Sequence, residues 1–276
     1  MTFAQFWDML SLPAVTRAIF AGVLISMCAA VLGVVLVLKR YSLIGHGLAD
    51  VGFASMALAL ALGLPPVWVS MPVVIVASFC IMAYSQKKGM SGDTAIGVAA
   101  TASLAAGILI TAMSSGFNTD VYGFMFGSIV ALDTRDVWMS AGLGVVVVGL
   151  FILFYNRIFI VTMDEGFARA AGLNVTGYQF LISFLTALTV VIGMRLTGTM
   201  LISSLIIFPV MTARKLTKSF LSLVVTSAVV SVLCFLAGMT LSLLWNLPVG
   251  AGIVAVNVAL MVVAGIAARF LRKNPA

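Results

Sequence analysis

The sequence predicts an all-α fold, a polytopic transmembrane helical bundle of 8–9 spans with its N-terminus outside and its C-terminus inside. Three observations predict it. First, 63% of the 276 residues are hydrophobic and only 8% are charged, whereas an average soluble domain carries about 25% charged residues. A soluble fold of this length has too few polar groups here to cover its outside. That excludes an ordinary cytosolic enzyme, a disordered tail and a nucleic-acid-binding domain, so no nucleic acid is expected among the partners. Second, the apolar runs are as long as the hydrocarbon layer demands, roughly 20 residues each. Third, the basic residues fall in alternate segments between those runs.

Uncharged or nearly uncharged runs occupy Ala18–Leu38, Tyr41–Leu64, Pro65–Ser85, Ala95–Asn118, Val137–Asn156, Thr176–Met194 and Leu196–Ala213. A last run, Ser219–Ala268, is too long for one span, and Asn246, Leu247 and Pro248 with Gly250 place a turn in its middle. These are nine candidates. Leu196–Ala213 is the shortest and Pro209 interrupts it, so a broken or re-entrant helix, and a count of eight, is the alternative. Continuous rather than alternating apolar residues exclude a transmembrane β-barrel.

Orientation follows from charge. With the first span running outside to inside, the inner segments hold Lys39, Arg40, Lys87, Lys88, Arg157, Arg169, Arg214, Lys215, Lys218, Arg269, Arg272 and Lys273. The outer segments hold only Arg17, Arg135 and Arg195. Cytoplasmic loops carry the excess of Lys and Arg. Residues 1–13 lack the basic start of a secretory signal and are expected to form an amphipathic lead-in with Phe6 and Trp7 at the interface. Cys28, Cys80 and Cys234 lie far apart in apolar runs, which predicts neither disulfides nor a thiolate cluster. Small residues recur every four positions at Ala95, Ala99, Ser103 and Gly107, and less regularly at Gly142, Gly144 and Gly149. Such stripes let helix backbones approach closely in lipid; a pore lining is the other use.

Two segments could carry chemistry. His46 is the only histidine, and Asp50 follows four residues later, which puts both on one face of a helix, one turn apart. An ionisable Asp inside a span costs about 2.5–3.5 kcal/mol on insertion scales, and such residues face inward and act. Imidazole nitrogen and carboxylate oxygen suit Zn²⁺ and related divalent ions. Two ligands do not close a site, but a two-fold axis through this face would supply two His and two Asp. The plain alternative is an intrahelical pair that neutralises two polar groups. The chain has no H-E-x-x-H and no phosphate-binding G-x-x-x-x-G-K-[ST]. It is therefore not expected to be an enzyme; if ATP drives it, another subunit binds the nucleotide. A self-sufficient carrier using Asp50 as a proton site would need more intramembrane carboxylates than are present.

The second segment is the inner stretch 157–175. Asp164 can cap a short helix whose first turn carries Glu165. Ala168 keeps that helix compact, Arg169 projects a charge, and Gly172 suits the left-handed residue that ends it. A stiff, small-faced helix can dock on a soluble partner; a plain connector is the alternative.

These residues resemble a known family. GVLISMCAAVLGVVLVLKRYSLIGHGLAD, TDVYGFMFGSIVAL, MDEGFARAAGL, LISSLIIFPVMTAR and LPVGAGIVAV, in this order, resemble motifs of the integral-membrane permeases of zinc, manganese or iron ABC importers, the ZnuB/TroC/MntB-like group. The likeness runs from about Arg17 to Arg269. One departure stands out: the family's usual Asp, then His four residues on, is exchanged here for His46, then Asp50. The resemblance implies a single transmembrane permease domain over residues 1–276 and a multi-pass location in the bacterial cell membrane. It implies a transported divalent metal (Zn²⁺ first, Mn²⁺ or Fe²⁺ next) rather than a resident cofactor. It implies four kinds of partner as well: a second permease copy, ATP-binding cassette subunits, an extracytoplasmic metal-binding protein and the lipid bilayer. Asp164, Glu165, Ala168, Arg169 and Gly172 would contact the cassette, and His46 and Asp50 the metal.

Overall fold

The computed structural model describes residues 13–85, 92–113, 133–245 and 247–273. Among them every element is helical. Nine helices are long and apolar enough to cross a bilayer: α1 (Pro13–Leu38), α2 (Ile44–Ala61), α3 (Pro66–Ser85), α4 (Gly92–Met113), α5 (Thr134–Leu153), α8 (Val175–Thr197), α9 (Thr199–Leu216), α10 (Phe220–Trp245) and α11 (Val249–Lys273). Two short helices, α6 (Tyr155–Met163) and α7 (Glu165–Ala170), lie between α5 and α8. The lead-in at 1–13, except Pro13, and the segment TDVYGFMFGSIVAL lie outside the described residues, as do Lys87, Lys88 and Asn246.

The segment that could have been re-entrant is a complete helix. Pro209 sits inside α9 and removes one backbone donor, yet the helix runs on to Leu216. The separation of α8 from α9 comes instead from Gly198, with φ 85° and ψ 164°. Only glycine enters that region readily, so a single residue turns one span into the next.

The bundle is built around α1. Of its most apolar stretch 78% is buried, against 17% for α4. It packs against α10, α9, α5 and α8. An apolar helix with no polar side belongs at a centre rather than a surface, and the unbroken buried run from Cys28 to Val37 shows that outcome. Where α1 meets α9, a Cβ on Gly33 would collide with the Ile206 carbonyl. On the α10 side, the Phe235 ring occupies the place of a Gly22 side chain. Hydroxyls add polar links between helices: Ser231 Oγ donates to the Ser26 carbonyl at 2.9 Å, and Ser78 Oγ to the Ser183 carbonyl at 3.2 Å. In lipid such contacts are worth on the order of 0.6 kcal/mol each.

The stripe Ala95, Ala99, Ser103 and Gly107 is a packing surface, because α4 lies along α2 there and Phe53 covers Gly107. In α5 only Gly144 faces a neighbour, Leu24 of α1; a side chain at Gly142 or Gly149 would meet open space. All three cysteines are free.

Candidate functional site

Three sides of α2 are closed by its neighbours. A side chain on Gly45 would meet Ile206 of α9, one on Gly47 would meet Ile96 of α4, and one on Gly52 would meet Met194 of α8. The glycines let these helices approach α2 and leave one stripe uncovered. That stripe carries the exposed Leu43, His46, Leu58 and Ala61 at helical spacing, and Asp50, in register with them, is buried. The His46 side chain is 54% exposed and the Asp50 side chain 8%. The imidazole therefore projects from the bundle while the carboxylate sits beneath it.

His46 Nε2 stands 3.6 Å from Asp50 Oδ2. This exceeds hydrogen-bond length. It is close to the spacing of two ligands around one tetrahedral Zn²⁺, which bonds of about 2.1 Å place about 3.4 Å apart. Among the described residues no group of three or more His, Cys, Asp or Glu side chains could hold a metal. One copy of this face offers two donors, an imidazole nitrogen and a carboxylate oxygen, and leaves the other positions of an ion open.

The second site lies at the end of the bundle marked by Lys39, where α1 closes. Arg40 there takes φ 61°. Its amide donates to the Val37 carbonyl and the Tyr41 amide to the Leu36 carbonyl, the pair of bonds that terminates a helix on a left-handed residue. Below this turn sits α7. Asp164 Oδ1 accepts from the Phe167 amide at 2.9 Å and caps it. Gly172, at φ 76°, ends it, with its own amide bonded to the Arg169 carbonyl and the Leu173 amide to the Ala168 carbonyl. Both local features are those the sequence suggested.

The five coupling candidates do not share one surface. Ala168 is fully buried in a small core with Val161 and Val175, so it seats the helix. Glu165 turns back into the bundle: Lys39 Nζ donates to its Oε1 at 2.6 Å, and Gln179 Nε2 donates to the same oxygen at 2.7 Å. Arg169 projects outward, as does Phe167, which is 61% exposed. Phe167, Lys39 and Gln179 were not among the sequence candidates. Phe167 had a local signal, an aromatic residue in a six-residue helix otherwise made of small and charged residues. Lys39 and Gln179 had none, since the lysine lies 126 residues from Glu165. At the opposite end, Arg195 Nη1 donates to Asp136 Oδ1 at 2.9 Å and fastens α8 to α5. Asp136 Oδ2 also accepts from the Asp133 amide, completing a capping box on α5.

Among the described residues, eight apolar spans accompany a buried central one, an exposed imidazole lies one turn from a buried carboxylate on α2, and a short helix sits at one end; this is the architecture of a polytopic membrane protein. The profile of the ABC 3 transport family matches residues 11–268, and the chain belongs to that family. The manganese transport system membrane protein MntC of Halalkalibacterium halodurans is 27% identical over 94% of this chain and 89% of its own length. The high-affinity zinc uptake system membrane protein ZnuB of Haemophilus influenzae is 26% identical over 89% and 94%. The solved structure of PsaBC from Streptococcus pneumoniae in complex with Fab matches with a TM-score of 0.84 and 25% identity, over 95% of each chain. The chain is thus a multi-pass permease of the metal ABC-importer family, a membrane component of a transport system.

Proposed function

We propose that this permease moves a divalent metal ion, Zn²⁺ by first preference, into the cytoplasm of a bacterium. It does so as one of two permease copies in the cell membrane, with its N-terminus outside and the Lys39 end inside. ATP is hydrolysed by separate cassette subunits that dock on α7. An extracytoplasmic binding protein delivers the ion. The observation that carries the reading is the placement of an exposed His46 one turn from a buried Asp50, on the one side of α2 that its neighbours leave open.

Facing acyl chains, that stripe would be costly, because ionisable groups in a span face protein or water. Facing a second copy across a two-fold axis, it offers two imidazoles and two carboxylates, enough for four-coordinate Zn²⁺. Conduction needs binding weak enough to release the ion, and a site divided between two copies can open by moving them apart. Cassette closure would supply that movement through α7, whose exposed Phe167 and Arg169 offer an apolar knob and a charge to a groove on the cassette.

Manganese is the second reading, favoured by relatives named as manganese transport proteins. The exchanged order of His46 and Asp50 keeps one nitrogen and one oxygen donor per copy, a set that suits Zn²⁺ better than the oxygen-rich sites of Mn²⁺. Uptake by vesicles containing the whole importer, with Zn²⁺, Mn²⁺ and Fe²⁺ in competition, tests this. Zn²⁺ is expected to be taken up first; preferential uptake of Mn²⁺ would replace it as substrate. Uptake without cassette subunits would overturn the ATP-driven reading.

A further inference from the structure

We infer that Lys39, Glu165 and Gln179 form a tether that makes α7 move as one body with the central helix α1 and with α8, and that the tether sets how many ions move per ATP hydrolysed. The inference rests on the reading of α7 as the element the cassette pushes. It adds positioning residues outside α7 to that reading.

Three observations carry it. Glu165 is in the first turn of α7, yet its carboxylate turns back toward the bundle and is held by two donors, one at the end of α1 and one on α8. The Lys39 side chain is only 7% exposed and Gln179 is 3% exposed, so both donors reach from the buried side to a carboxylate that is itself half-exposed, and a largely buried ammonium seeks a charged acceptor. The backbone at this point is also specialised: Arg40 takes a left-handed conformation uncommon for a side chain of its size, and this ends α1 directly after Lys39. Arg169 Nη2, at 3.9 Å from Glu165 Oε2, adds little and stays free to face a partner.

Without the tether, α7 is seated by a small apolar cluster, Ala168 with Val161 and Val175 and the partly buried Ile160, Leu173 and Tyr178 around them. It could then follow the cassette while α1 and α8 stay behind. With it, displacement of α7 is carried by an ion pair and an amide bond into the helix around which the other spans pack. Mutations in networks that couple two states shift the coupling by about 0.5–2 kcal/mol, roughly two- to thirtyfold. A loss near the middle of that range is expected here.

The test uses the complete importer in proteoliposomes, reading ions imported and ATP hydrolysed together, with cassette co-purification as a control for assembly. Lys39→Met and Gln179→Met are expected to retain the cassette and continue hydrolysing ATP. Ions moved per ATP should fall about tenfold in the first and less in the second. The exchange K39E/E165K keeps the ion pair with its charges reversed, and it should restore most of the ratio. A merely structural lysine would not be rescued in this way. A wild-type ratio in Lys39→Met overturns the tether, whatever the exchange does. An assembled exchange variant that stays as poor as Lys39→Met overturns it too. If instead the wild-type importer shows no cassette contact on α7, as read by cross-linking from Phe167→Cys, the reading beneath the tether fails, and that outcome is distinct from the other two.

Discussion

At the scale of single residues, what matters is which groups are left uncommitted. His46 Nε2 and Asp50 Oδ2 face each other at 3.6 Å, beyond hydrogen-bond length, and under the proposed function both turn to the ion. Removing either donor takes half of what one copy offers. Loss even of outer-shell partners costs tenfold or more in metal affinity. His46→Ala and Asp50→Asn are therefore each expected to lower metal uptake by at least about tenfold while assembly with the cassette survives. Uptake at the wild-type rate in both variants would remove the pair from the path. This pair was legible in the sequence because an i, i+4 relation is local and needs no tertiary knowledge. The partner of Glu165 was not. Lys39 is an ordinary member of the basic count until folding brings together residues 126 positions apart.

At the scale of elements, α7 shows how much a cap and a stop can specify. Asp164 and Gly172 flank a six-residue helix and its C-cap Ala171, and both roles could be read from the sequence. The face that Ala168 presents could not, because burial depends on Val161 and Val175 from the flanking helices. Proline at position 172 cannot adopt φ 76° and has no amide to donate to the Arg169 carbonyl. Each bond lost is worth about 0.5–1.5 kcal/mol net, and two support this end of the helix. Gly172→Pro is expected to loosen α7 and separate ATP hydrolysis from metal import, measured as hydrolysis that continues with little uptake. Unchanged stoichiometry would reduce α7 to a connector. The α8–α9 junction teaches a different point. Pro209 drew attention as a possible break, but a buried helix surrounded by others tolerates a proline. Gly198 makes the turn, unmarked by any proline or charge, with Thr197 and Thr199 on either side.

At the scale of the whole molecule, the number and type of spans were legible because the bilayer imposes a length on each apolar run. Which span would lie at the centre was harder to read. The first and tenth helices are similarly apolar and both pack closely through glycine, at Gly22 and Gly33 in one and Gly238 in the other, yet 78% of the most apolar stretch is buried in the first against 44% in the tenth. The α2 stripe is where a second copy would sit under the proposed function. Leu58, on that stripe and 43% exposed, gives a direct test. In the importer, Leu58→Cys is expected to form a disulfide between two permease copies under mild oxidation. The same substitution at Val145, exposed on α5, is expected to form none. The reverse result would move the two-fold axis elsewhere and leave His46 without a counterpart.

The burial of α1 has a consequence for how the chain is made. This helix precedes the other described spans in the sequence, so it enters the membrane before α5, α8, α9 and α10, the helices that later enclose it. Until then its Ser26 carbonyl lacks the Ser231 hydroxyl, contributed from 205 residues downstream. Contacts so distant along the chain delay folding. A ribosome that stalled after α8 would release a bundle with its innermost helix still open to lipid, a form suited to recognition by membrane quality control.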